Sequence, residues 1–116
     1  MRMWMVDPTI LCRNHLLGEH VEIHMFIGSC IKGISLNGYV DNNLLEFKSM
    51  YFRHNELVKE MTNRGMNHKS DLPKLPIKLN YPSYILESKI DKESALNDLI
   101  SRCDECRNNH KRILCL

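Results

Sequence analysis

Apolar residues recur every three to four positions along three segments of this chain, and that period decides what it can fold into. From about Asn14 to Ile31 the series is Leu16, Leu17, Val21, Ile23, Ile27 and Ile31, with Asn14 as an N-cap candidate and Gly33 placed for a C-cap. From about Lys48 to Arg64 it is Tyr51, Phe52, Leu57, Val58 and Met61. Gly65 ends this run, a residue type that enters the left-handed region without steric cost. A third segment starts at Asp91, again an N-cap candidate, and passes through Leu96, Leu99 and Ile100 towards His110. The spacing predicts three helices packed together.

Two long connectors separate them. Ile34 to Phe47 holds Asn37-Gly38 and Asp41-Asn42-Asn43, which favour turns, and Gly38-Tyr39-Val40 can form a brief extended piece without making a convincing strand. Met66 to Ser88 holds Pro73, Pro76 and Pro82, each of which blocks continuation of a helix. At 116 residues the chain has room for one core but not for a substrate domain beside a cofactor domain, so residues 1–116 are expected to form a single domain. Its 43% apolar and 26% charged content is that of a chain that folds. The expected class is all-α: three helices with loops wrapped around them, the loops long enough to suggest a functional role.

A net charge of +2 permits a nucleic-acid partner without arguing for one. The N-terminal stretch meets a charge at Arg2 and stops at Asp7-Pro8, short of the apolar run of about 7–15 residues that a signal peptide needs. No stretch approaches a membrane span. The odd set of Cys12, Cys30, Cys103, Cys106 and Cys115 has no repeated spacing, as expected of reduced thiols in an intracellular, cytoplasmic protein.

Three polar patterns are candidates for chemistry. His15, Glu19 and Glu22 stand at i, i+4 and i+7 on one stripe of the first helix, which spacing alone reads as a solvated polar face with a local His-Glu pair. His20 and His24 are four apart, but Glu22 lies between them and not next to the first histidine as the metalloprotease pattern requires. They read as surface or partly packed histidines. Cys103, Cys106, His110 and Cys115 supply four soft ligands within thirteen residues, close to zinc-knuckle spacing. No glycine turns the chain there and a helical pattern continues through it, so the expectation is unliganded thiols and no metal.

Four stretches in matching order resemble the pyrimidine-dimer DNA glycosylases of the phage endonuclease V type. Arg2 follows the first residue. The run from His15 through Glu19 to Glu22 is similar to the family's first helix, with its histidine and, seven residues on, its catalytic glutamate. Asn55 to Met61, followed by Arg64-Gly65-Met66-Asn67, resembles the end of the second helix and the Arg-Gly-x-Asn turn. Leu99 to Arg102 resembles the third helix. The resemblance implies an all-α, metal-free and cofactor-free enzyme that excises a damaged base and then acts as an AP lyase. Its nucleophile is an α-amine, whose class has a reference pKa of about 7.7–8.0 and so keeps a useful unprotonated share near neutrality.

Because Arg2 is too bulky for ordinary methionine removal, the amine implied here is that of Met1. Glu22 is then the catalytic carboxylate, and Arg2 and His15 hold backbone phosphates. The implied partner is damaged double-stranded DNA, with no membrane, no obligate protein partner and a monomeric enzyme. The family's first helix carries arginines where this chain has Val21 and Met25, and its aromatic C-terminal segment is replaced by Arg107 to Arg112. Lys69, Arg102, Arg107, Lys111 and Arg112 are candidates to supply the missing DNA contacts. The alternative is a noncatalytic helical module that binds DNA or protein, with zinc held by the C-terminal Cys/His set.

Overall fold

The structure, a computed structural model, describes residues 1–68 and 70–115. Its regular elements are helical: α1 Arg13–Ile31, α2 Asn37–Asp41, α3 Met50–Asn63, α4 Ser83–Leu86, α5 Lys92–Arg102 and α6 Asp104–Leu114. Single 3-10 turns stand at Pro8–Ile10 and Phe47–Ser49. The all-α expectation holds. The three-helix expectation does not, since the described residues form six helices, and α1, α3, α5 and α6 each run for 11 residues or more.

The extra helices have local causes. The third predicted helix divides at Cys103, whose backbone extends to φ −119, ψ 111 and whose sulfur accepts the amide of Cys106, so that it caps α6 as a new start. Asn37-Gly38 begins α2 and is not an open turn, and the extended piece expected at Gly38-Tyr39-Val40 is helical. The Leu36 carbonyl accepts the amides of Tyr39 and Val40, and the Tyr39 ring stands edge-on to Phe26 of α1 at 5.0 Å. Helix α1 starts one residue earlier than expected, at Arg13, with Cys12 and not Asn14 as its cap. The other boundaries follow the sequence: Gly33 and Gly65 sit at φ 70 and 78, and Asp91 accepts the Ser94 amide at 3.1 Å.

Helix α1 packs on α3, and α5 and α6 pack on each other, with α6 also against the Pro8–Ile10 turn. One buried apolar cluster joins Leu16, Ile23, Phe26 and Ile27 of α1, Met50, Leu57 and Met61 of α3, Leu99 of α5 and the N-terminal Met3 and Trp4. On α3 the expected core residues Tyr51 and Phe52 point outward, Phe52 being 64% exposed, and Arg53 and His54 occupy the buried face instead. Val21 and Ile31 of α1 are likewise exposed while Glu19 and His20 are buried.

Glu19 therefore leaves the solvated stripe. It is fully buried and bonds the Arg53 guanidinium through both oxygens, at 2.6 and 2.9 Å, and Arg53 also donates to the Val6 carbonyl at 2.6 Å. Burial alone would lower the Arg53 pKa, but the hydrogen bonds and charge of Glu19 outweigh it and raise it. The pair ties α1, α3 and the N-terminal segment together. A second buried carboxylate, Glu46, accepts the Ile90 amide at 3.0 Å and the Ser49 hydroxyl, and so joins the start of α3 to the approach to α5.

Candidate functional site

Chain termini fray unless something ties them down. Here Met3 and Trp4 are buried and the Met3 amide donates to the Leu44 carbonyl at 2.7 Å, which fixes the position of Met1. Met5 lies at φ 56, a left-handed conformation that costs on the order of 1–3 kcal/mol and persists only where the surroundings over-determine it. Buried Trp4 and Val6 on either side provide that constraint.

The result is an amine beside a carboxylate. The Met1 nitrogen stands 4.0 Å from Glu22 Oε1, at a cleft of about 420 Å³ that is also lined by Arg2, Trp4, His15, Gly18 and Arg102. A wider groove of about 560 Å³ runs past Pro8, Phe52, Asn55 and Lys59, but it contains none of the sequence-derived site residues. The smaller cleft is the candidate site, because that is where the amine and Glu22 meet.

Positive charge at the cleft comes from two arginines that share one carboxylate. Arg2 Nη1 donates to Asp98 at 2.8 Å with its guanidinium 3.6 Å above the Trp4 ring, and Arg102 Nε stands 3.0 Å from the other Asp98 oxygen. Burial lowers the Arg2 pKa despite the pull of Asp98. Arg102 is 65% exposed and is the more accessible of the two. Arg2 and Arg102 thus outnumber Asp98 at this edge of the cleft, whose lining also includes the carboxylates of Glu22 and of the Arg53-paired Glu19.

The remaining basic candidates lie elsewhere. Arg107 donates to the Ile100 carbonyl at 2.9 Å and pairs with Asp104, and Arg112 donates to Asn109 at 2.7 Å in a separate groove with Glu60 and Arg64. Lys111 is exposed on α6, and none of these three lines the cleft. Lys69 lies outside the described residues.

His15 belongs to two surroundings. It lines the cleft, edge-on to Trp4 at 5.7 Å, while its Nδ1 stands 3.1 Å from Cys12 Sγ and 3.6 Å from Cys106 Sγ. Cys103 Sγ is 3.9 Å from Cys12 Sγ, and the four ligand atoms lie within 4.8 Å of one another. The Cys/His set expected from spacing is thus corrected: Cys103 and Cys106 meet Cys12 and His15, and His110 and Cys115 are not in the cluster. The cause is the continuous α6, whose rise carries His110 about 6 Å and the Cys115 position about 13.5 Å along the axis from Cys106.

Of the expectation for His20 and His24 the packed alternative holds, His20 being buried and His24 half-buried, and a second cluster extends it. These residues join His54 of α3 and His68, which follows the Gly65 turn, with ligand atoms again within 4.8 Å. Burial first, then the charges of His54, His24 and His68, push the His20 pKa down to about 4. Burial and His24 lower His54 as well. Sequence spacing paired only His20 with His24. A signal was present on α3, where Arg53 and His54 fall in phase with Met50, Leu57 and Met61.

These features define a small helical protein with an amine and a carboxylate at an arginine-rimmed cleft. Residues 1–74, nearly two thirds of the chain, match the family described as pyrimidine dimer DNA glycosylase, and the chain belongs to that family. No curated protein and no solved structure matches it. The matched segment contains Met1, His15 and Glu22, and it ends before Asp98 and Arg102.

Proposed function

We propose that this chain excises pyrimidine dimers from DNA and cleaves the resulting abasic site through an imine formed by the Met1 α-amine. The observation that carries this reading is the Met1 nitrogen held 4.0 Å from Glu22 at a cleft that Arg2 and Arg102 also line. Family membership supports the glycosylase reaction, and the amine–carboxylate pair supports this route to it.

The amine lone pair attacks the anomeric carbon of the damaged nucleotide, and the bond to the base breaks with its electron pair leaving on the base. Positive charge develops on the sugar as this happens. The Glu22 carboxylate opposes that charge and accepts and returns protons as the sugar ring opens to the imine. Loss of a proton from the neighbouring sugar carbon then expels the 3′ phosphate, and water hydrolyses the imine to restore the amine. Arg102, together with Arg2 and His15, holds phosphates flanking the lesion.

An enzyme of this size cannot enclose a duplex, so it grips one side and makes room by bending the DNA and displacing a nucleotide. Borohydride reduction in the presence of duplexes containing a pyrimidine dimer or an abasic site tests the reading. A covalent protein–DNA adduct with both is expected. Folded protein that binds these duplexes and gives no adduct would favour the noncatalytic module.

A further inference from the structure

We propose that this fold holds two divalent transition-metal ions of the zinc class, one on Cys12, His15, Cys103 and Cys106 and the other on His20, His24, His54 and His68.

The first centre is built from two matching helix starts. Cys12 caps α1 and its sulfur accepts the His15 amide, and Cys103 caps α6 and its sulfur accepts the Cys106 amide, both at 3.4 Å. Each helix thus offers a cysteine sulfur at its N-cap and a second ligand three residues on. The positive end of a helix and a donated amide both favour a thiolate over a thiol. Cys106 Sγ also accepts the Cys12 amide at 3.2 Å, the kind of outer contact that orients a metal-bound sulfur.

The distances fit an ion. Tetrahedral zinc with bonds of about 2.3 Å to sulfur and about 2.0–2.1 Å to nitrogen separates its ligands by about 3.8 Å for two sulfurs and about 3.5 Å for sulfur and nitrogen. The edges here are 3.9 Å between Cys12 and Cys103, 3.6 Å between Cys106 and His15 and 3.1 Å between Cys12 and His15, the last a few tenths of an ångström short of the ideal, and all lie within 4.8 Å. A disulfide would need about 2.05 Å between sulfurs, and all five cysteines are free. Such a centre ties the start of α1 to the α5–α6 junction. Ligation through His15 Nδ1 leaves Nε2 protonated, a fixed donor on a ring that lines the cleft.

The second centre rests on a different observation. His20 and His24 stand one turn apart on α1, α3 supplies His54, and the segment after the Gly65 turn supplies His68. The Nε2 atom of every one of the four is buried and has no hydrogen-bond partner among the described residues. One neutral imidazole can donate its N–H to the lone pair of another, yet none of these four Nε2 atoms makes such a bond here, and all four are left buried and unsatisfied. A single cation satisfies all four, and imidazole ligands suit zinc, copper, nickel and iron.

The first centre shares His15 with the proposed DNA-binding cleft, and metal content tests both centres without any readout of the DNA chemistry. Elemental analysis of the purified full chain, before and after incubation with zinc and removal of the excess, is expected to give two metal equivalents per chain. Cys103→Ser and His68→Asn, both at half-buried positions, are each expected to halve that content. Cobalt-loaded wild type should show a thiolate charge-transfer band that disappears in Cys103→Ser and persists in His68→Asn. The cobalt spectrum of wild type also serves where a variant fails to fold. Helical protein that retains no metal after zinc loading would overturn both centres. Metal content unchanged by one of the two substitutions would overturn that centre, as would a cobalt adduct without the thiolate band for the first.

Discussion

The first 74 residues supply the amine, Glu22 and six of the eight clustered Cys and His side chains, while the segment beyond supplies Asp98, Arg102 and the two remaining cysteines of the clusters. The two regions work differently. Helices α1 and α3 form a frame whose buried polar groups face one another, whereas α5 and α6 brace that frame and charge the rim of its cleft. Substitutions in the frame should therefore abolish folding or chemistry, and those in α5 and α6 should tune binding.

The largest effect is expected at the buried ion pair. Glu19→Ala leaves the Arg53 guanidinium buried without its bidentate partner and should cost about 3–5 kcal/mol in denaturant unfolding. The double variant Glu19→Leu with Arg53→Met should lose much less. Equal losses in single and double variants would mean that packing, not pairing, carries the stability.

Glu22→Gln comes next. The amide keeps the shape and removes the charge, so excision should fall by at least ~10²-fold, about 2.7 kcal/mol of barrier, with the melting temperature unchanged. Full activity in this variant would remove Glu22 from the chemistry. Glu19→Gln should act on excision only through the folded fraction, which separates the two carboxylates of the α1 stripe.

Glu46 gives a smaller, pH-dependent effect. Burial works to raise its pKa, but hydrogen bonds from Ser49 and the Ile90 amide, with the charges of Lys92 and Lys89, hold it below the usual carboxylate range. A carboxylate depressed in the folded state contributes stability that is complete above its unfolded pKa and is lost as pH falls through the folded one. Glu46→Gln should thus be less stable than wild type by about 1–2 kcal/mol near neutrality, with the gap closing in acid. A gap that stays constant down to low pH would contradict the ionised role.

The smallest effect belongs to the rim. Each neutralised phosphate contributes about 0.9 to the slope of log affinity against log salt, so Arg102→Ala should lower the slope by roughly one unit. Replacing Lys111 and Arg112 with alanine should leave it unchanged, since neither lines the cleft. The opposite result would move the DNA-binding face to α6.

Helix α1, helix α3 and the start of α5 were legible in the sequence because their periods are long and their stops are chemical: Gly33, Gly65 and Asp91 act as the caps their residue types suggest. Helices α2 and α4, with five and four residues, were not, since so few residues carry no period and are held by tertiary contacts. The break at Cys103 has neither proline nor glycine to announce it. It arises from a thiol that caps the next helix, which only the fold reveals. That Met1, Glu22 and His15 line one cleft was legible through the family resemblance and its count from the chain start, whereas spacing alone pointed to a solvated face. The partners of His15 and His20 were not, because Cys106 and His54 reach them from distant helices.

If the Met1 amine attacks the sugar, the trapped adduct must sit on that amine. After borohydride reduction on abasic-site DNA, nuclease digestion and proteolysis, mass spectrometry should find the sugar remnant on the peptide that begins with Met1, attached to its α-nitrogen. An uncleaved N-terminal extension should abolish trapping. A remnant on a lysine side chain, or full trapping by the extended protein with its extension intact, would rule out the Met1 amine as the nucleophile.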